Sequence, residues 1–215
     1  MVVLPIAATV VAVFFCLRTA SAARASKSIA LEVWSFALLQ FAVASAALAW
    51  GVAFAWSSSV FRAFYLFGAV VNVVWLALGT IWLLAPRAVS TIALAVVAVA
   101  TGYAAYAVLT ASFVPGAAQA LAHVGIPAPS KVMPGSVRVL SRWYSIGGSL
   151  VVIGGLVWSL VRRRRHATGL ALLAAGVVVV GLAGEFARAG LVAAFSALLA
   201  AGIAVMYAGF ARTQS

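Results

Sequence analysis

The sequence predicts an all-α fold: a polytopic transmembrane helix bundle of seven spans, with the N-terminus outside and the C-terminus cytoplasmic. Three observations carry that expectation. Of the 215 residues, 67% are hydrophobic and 7% charged, whereas soluble domains run at about 45–50% apolar and about 25% charged. Apolar runs consume nearly all of the chain, whose mean hydropathy is +1.21, and most reach the roughly 20 helical residues that a hydrocarbon core demands. Prolines respect the ends of those runs: Pro86 follows the third, Pro115 the fourth, and Pro127, Pro129 and Pro134 share one long connection. There the locked φ and missing N–H do no harm. No stretch is left for a soluble domain, so residues 1–215 read as a single bundle.

The first run, about 2–17, has no basic leader and no small-residue cleavage site ahead of a polar region. It reads as a retained span, with a cleaved signal as the weaker alternative. It is the shortest run, and Pro5 lies near its first turn. The second, 29–51, carries Glu32 at its start, beside Arg24 and Lys27, and Gln40 near its middle. The third, 60–85, lies within FRAFYLFGAVVNVVWLALGTIWLLAPR. At helical spacing Tyr65, Gly68, Asn72, Trp75, Gly79 and Trp82 form one stripe. Glycines there admit a neighbouring backbone, and Asn72 can hydrogen-bond across the contact. Asn72 is therefore either packing glue or a ligand contact. Counting about 1.5 Å per residue, Asn72 and Gln40 both lie near the midplane, and helices joined by a short loop are neighbours. The expectation is an Asn72–Gln40 contact, direct or through water.

The fourth run, 88–113, brings Tyr103, Tyr106 and Thr110 to the outer third, where Arg62 and Tyr65 also lie. The sixth, 167–187, closes on GEFARAG, with Glu185 and Arg188 three residues apart and able to share a face. A carboxylate at membrane depth needs a cation or water, and Arg62 or Arg188 would supply the cation. Two readings follow: an interfacial salt bridge, where snorkelling makes charge cheap, or an outward-facing pocket with Arg62 as an anion contact.

The long outer loop, 114–142, reads VPGAAQALAHVGIPAPSKVMPGSVRVLSR and is too rich in Pro and Gly for a continuous helix. Its AAQALAHV segment has room for a brief interfacial helix. Loops of this length commonly form a lid or binding surface, or are disordered. The fifth run, 143–161, pairs Gly147 with Gly154 and Gly148 with Gly155; the seventh, 190–210, carries Ala193, Ala197 and Ala201 on one ridge and Ala200, Ala204 and Ala208 on another. Such spacing permits close helix approach, within the chain or between copies.

Net charge is +12. N-outside topology places nine basic residues in cytoplasmic segments, namely Arg18, Arg24, Lys27, Arg87, Arg162, Arg163, Arg164, Arg165 and Arg212. Five fall outside, namely Arg62, Lys131, Arg138, Arg142 and Arg188. The bias obeys the positive-inside rule, which accounts for the charge without a nucleic acid partner. Arg162 to Arg165, in a tight connection, also suit anionic lipid headgroups.

Catalytic chemistry is hard to find. The chain has no Asp, and His123 and His166 fall in connections. Cys16 is the single cysteine, which excludes an internal disulfide. No G-x-S-x-G elbow appears, and the seventh run has no Lys for a Schiff base. The sequence calls for no catalytic set, metal or cofactor. The Ala-, Val- and Gly-rich pattern, with the third run and the closing AFSALLAAGIAVMYAGFAR, resembles small seven-span bacterial integral membrane proteins. That resemblance spans the chain and implies no activity; the cell membrane, in bacteria the cytoplasmic one, is the expected location. The expected function is a non-enzymatic module binding a partner protein, lipid or small apolar ligand. It would use the third-run stripe, the Arg62/Glu185 region and the 114–142 loop. The alternative is a small permease or channel with a polar path through Gln40 and Asn72. Expected partners are the bilayer, anionic lipids, and a second copy or another membrane protein.

Overall fold

The computed structural model describes residues 2–122, 125–162, 167–188 and 191–214, apart from the side chains of Arg162, Ala167, Glu185, Ala187, Arg188 and Gln214. The described residues are helical with short connections, and they contain no strand. Helix α1 spans Val3–Ser26 and α2 spans Ile29–Phe54. Helix α3 spans Ser58–Leu84, with a π-turn at Leu66–Val71 inside it, and α4 spans Arg87–Thr110. A short α5, Ala117–Ala122, precedes α6 at Gly135–Arg162, α7 at Ala167–Arg188 and α8 at Val192–Gln214. Six of these are long and apolar enough to cross a membrane, and Thr168–Gly184 within α7 is a shorter apolar helix.

Local chemistry sets the ends. Helix α1 runs past the expected residue 17 to Ser26, because Arg18 and Arg24 are exposed at the helix surface and need not break it. Lys27 closes it in the left-handed region at φ 51°, and the Ser28 N–H returns to the Ala23 carbonyl at 3.1 Å. Ser57 caps α3 by accepting from the Val60 N–H at 3.2 Å. Helix α6 begins at Gly135 rather than near residue 143, so Arg138 and Arg142 lie in helix and the connection before it shortens.

That connection is a folded plug. Val132 and Met133 are fully buried, each removal from water contributing about 1.5–3 kcal/mol, in one cluster with Trp56, Phe61, Val108, Phe195 and Leu199. The Trp56 indole N–H donates to the Gly125 carbonyl at 2.6 Å, and the Val114 N–H to the Val132 carbonyl at 3.1 Å. A brief helix is present within AAQALAHV as α5, shorter than that segment; His123 and Val124 lie outside the described residues.

Helix α3 is the hub, with α2, α4 and α6 packed around it, while α7 and α8 form the most intimate pair and α1 lies against α2 and α8. Glycines decide the closest approaches. A Cβ on Gly176 would meet the Gly202 carbonyl at 2.7 Å, and one on Gly209 the Gly169 carbonyl at 2.7 Å. Gly148 lies against the backbone of Val73 and Gly155 against Thr80 of α3, as their seven-residue spacing allows. Gly147 and Gly154 face open space instead. Ala193, Ala197, Ala201, Ala204 and Ala208 are exposed, and of the two alanine ridges Ala200 alone is half-buried and packed against the core.

Candidate functional site

Polar groups inside the bundle converge on α3 around its π-turn. Asn72, the first residue after that turn, is buried, and its amide Nδ2 donates to the Ala37 carbonyl of α2 at 2.6 Å. Asn72 thus bonds to backbone, and the expected direct bond to Gln40 is not made. Gln40 is 3% exposed and its Oε1 accepts from no group among the described residues. It lies one turn along α2 from both Ala37, which holds Asn72, and Ala44, which meets Gly68 at 3.3 Å from an ideal Cβ. The two amides therefore share the α2–α3 seam without bonding each other. From the opposite side, the Ser145 hydroxyl of α6 donates to the Ala69 carbonyl inside the π-turn at 3.0 Å. Ser145 carries no sequence signal beyond a hydroxyl in an apolar run.

Toward α4, the Trp75 indole N–H donates to the Thr101 hydroxyl at 3.1 Å, and its ring stands edge-on to Phe36 at 4.5 Å between centroids. The Tyr144 hydroxyl of α6 reaches the Ala100 carbonyl at 2.8 Å. Replacing Trp75 with Phe is expected to lower resistance to unfolding by about 0.6–1.7 kcal/mol, the span for interhelical bonds in membranes. Titration with SDS from mixed micelles measures it.

Where α4 ends, the structure separates what the sequence groups together. Arg62 donates from Nη1 to the Val108 carbonyl and to that of Leu109 at 2.7 Å, and from Nη2 to the Ala111 carbonyl at 2.7 Å. Its guanidinium also sits 4.5 Å above the Phe113 ring. These are the carbonyls that the end of a helix leaves without intrahelical donors, and a cation there complements the macrodipole. Arg62 is the C-terminal cap of α4. Tyr65 is buried and stacked on Phe61, with ring centroids 6.0 Å apart. Tyr103 and Tyr106 are 61% and 68% exposed, whereas Tyr65 is buried, so they do not join it. The Glu185 and Arg188 side chains, and hence the expected pairing of Glu185 with Arg62 or Arg188, lie outside the described residues. So do the Arg162 side chain and Arg163, Arg164 and Arg165.

Two cavities open on the bundle's flank. One, of about 340 Å³, lies between the end of α4 and the start of α6, lined by Tyr103, Ala107, Ser112, Ser136, Val137 and Leu140 among others. The other, about 360 Å³, is an apolar groove between α1 and α2 that includes Thr9, Trp50 and Phe54. Neither is lined by Gln40 or Asn72. Among the described residues no group of His, Cys, Asp and Glu side chains could hold a metal ion. No protein-family model, no curated protein and no solved structure matches this chain.

Proposed function

We propose that the chain is a seven-span, non-enzymatic protein of the cell membrane that binds an amphipathic ligand of the lipid class at its outer end. The N-terminus is outside and the C-terminus cytoplasmic. The cleft between α4 and α6 carries the reading. Its volume of about 340 Å³ falls in the size range of ligand pockets, roughly 300–1,000 Å³, and its few polar groups on an apolar floor match their usual chemistry. Ala107, Val137 and Leu140 offer the floor; the Tyr103, Ser112 and Ser136 hydroxyls offer donors and acceptors toward the surface. A lipid fits an opening of that polarity at a membrane boundary.

A permease through Gln40 and Asn72 is the second reading. Against it, Asn72 is committed to the Ala37 carbonyl and both amides are buried in a helix seam. Orientation rests on the basic residues: Arg18, Arg24, Lys27, Arg87 and Arg212 are exposed at one end of the bundle. Exposed basic side chains of that kind suit anionic headgroups. Native mass spectrometry of gently extracted protein tests the site. The wild type is expected to carry an adduct of lipid mass, which Ala107→Trp, filling the cleft, abolishes without unfolding the bundle. Solute flux through reconstituted wild type with no adduct would favour the permease instead.

A further inference from the structure

Two unfavourable backbone conformations bracket one segment of α3. On its inner side Leu66–Val71 forms a π-turn, a rare departure from the i→i+4 ladder. No ring forces it, since the nearest proline is Pro86, beyond the helix. On its outer side Ala55 stands at φ 81° and ψ 157°, a conformation that residues with a Cβ adopt only when their surroundings impose it. Between the two lies Ser58–Tyr65, which carries the Arg62 cap of α4.

The two halves of α3 are held differently. Beyond the turn, Val73 meets Gly148, Thr80 and Leu84 meet Gly155, and Gly79 is overlaid by the Trp34 indole. Close glycine contacts leave no room for sliding. The outer half instead packs its own Phe61 and Phe64 against the rings of Trp56, Phe113 and Phe195. Ser145 of α6 holds the turn itself through the Ala69 carbonyl.

We propose that Leu66–Val71 is a register switch that gates the outer end of the bundle. Converting the π-turn to α-helix, with the inner half fixed, advances Ser58–Tyr65 by one residue. That is a rise of about 1.5 Å and a rotation of about 100°. The surplus residue passes into the Ala55–Ser57 link, whose slack lets Ala55 return to negative φ. One motion therefore relieves both unfavourable conformations. Opposing it are the Arg62 cap, the Ser145–Ala69 bond and the present burial of Phe61 and Tyr65, all given up in the process. An element with such balanced alternatives is bistable. Withdrawing Arg62 also frees Ala111 and Phe113, and Ala111 is a wall of the α4–α6 cleft, so the cleft widens. The switch belongs to the chain's own backbone and stands whether or not that cleft holds a lipid.

Nitroxide labels at Ser59 and Tyr106, both exposed, placed in a Cys16→Ala background in lipid nanodiscs, report the outer half against α4 by double electron–electron resonance. Wild-type backbone is expected to give two distance populations separated by roughly 5 Å or more, because such a rotation swings a side chain across much of a helix about 10 Å wide. Deleting Val70 removes the surplus residue while leaving Arg62 on α4, and the second population should vanish. Ser145→Ala should enlarge that population about threefold or more, the low end for one interhelical bond in a membrane. Ala55→Gly tolerates positive φ and should shrink it. A single distance in both wild type and Ser145→Ala overturns the switch, as does a second population indifferent to both substitutions. Should the deletion variant fail to fold, these two substitutions still decide the matter.

Discussion

Gly209→Ala is expected to destabilise the bundle by about 1–3 kcal/mol, the usual cost of forcing a methyl into a filled interior. The added Cβ would lie 2.7 Å from the Gly169 carbonyl oxygen and 2.7 Å from the Leu173 backbone nitrogen. Both are backbone atoms, so no rotamer change can yield; α7 and α8 must separate along their length. Gly176 and Gly202 repeat the arrangement further along the same pair, with a Cβ on Gly176 meeting the Gly202 carbonyl at 2.7 Å. Widening at one site therefore loosens the other. Gly181→Ala, on the same α7 but with nothing within 4 Å of its ideal Cβ, should be neutral or stabilising by up to about 1 kcal/mol through helix propensity. The opposite signs of two identical substitutions on one helix pair are read by SDS titration of far-UV circular dichroism. Equal effects at both positions would show that α7 and α8 do not meet through glycine.

The glycine contrast also shows what a sequence of this kind can convey. Helical runs were legible because hydrocarbon demands long apolar helices and nothing else in the chain competes. The rotation of each helix about its axis was not. Lipid and protein interior are about equally apolar, so a membrane helix need not carry the polar-against-apolar contrast that orients a soluble one. Gly147 and Gly148 are adjacent and have the same partners seven residues on, yet only Gly148 and Gly155 meet α3. Tyr103 and Tyr106 are exposed for the same reason. Donors inside the bundle were readable and their acceptors were not: Asn72 was conspicuous, whereas the Ala37 carbonyl that receives it is a backbone group present at every position. Polar ends misled in the other direction. SVRVLSR groups with the Pro- and Gly-rich loop because it precedes the apolar run, but Arg138 and Arg142 lie on the helix that continues from it. The π-turn had no signature at all, for it arises in LFGAVV without proline and is held by groups distant in sequence.

Arg62→Ala should cost roughly 2–3 kcal/mol and release the end of α4. One guanidinium satisfies the carbonyls of Val108, Leu109 and Ala111 and rests on Phe113. Hydrogen bonds involving a charged partner contribute about 1.5–3 kcal/mol, and the three share one side chain, so their contributions do not add. Truncation leaves carbonyls beside the buried Val108 without a donor and removes the cation that balances the negative end of the α4 dipole. The loss should be local as well as global. Helix α4 is the least enclosed of the candidate spans, with 17% of its apolar window buried, and its end leads directly into the plug that contains Val132 and Met133. Hydrogen exchange at amides 105–114 should accelerate strongly, and limited proteolysis should begin to cut within 111–134 while α7 and α8 stay protected. Arg62→Lys should recover only part of the stability, since an ammonium lacks the planar fork that reaches several carbonyls at once. An anion-contact role would give the reverse pattern. The alanine variant would then be as stable as wild type with unchanged exchange at the end of α4, and a bound ligand alone would be lost.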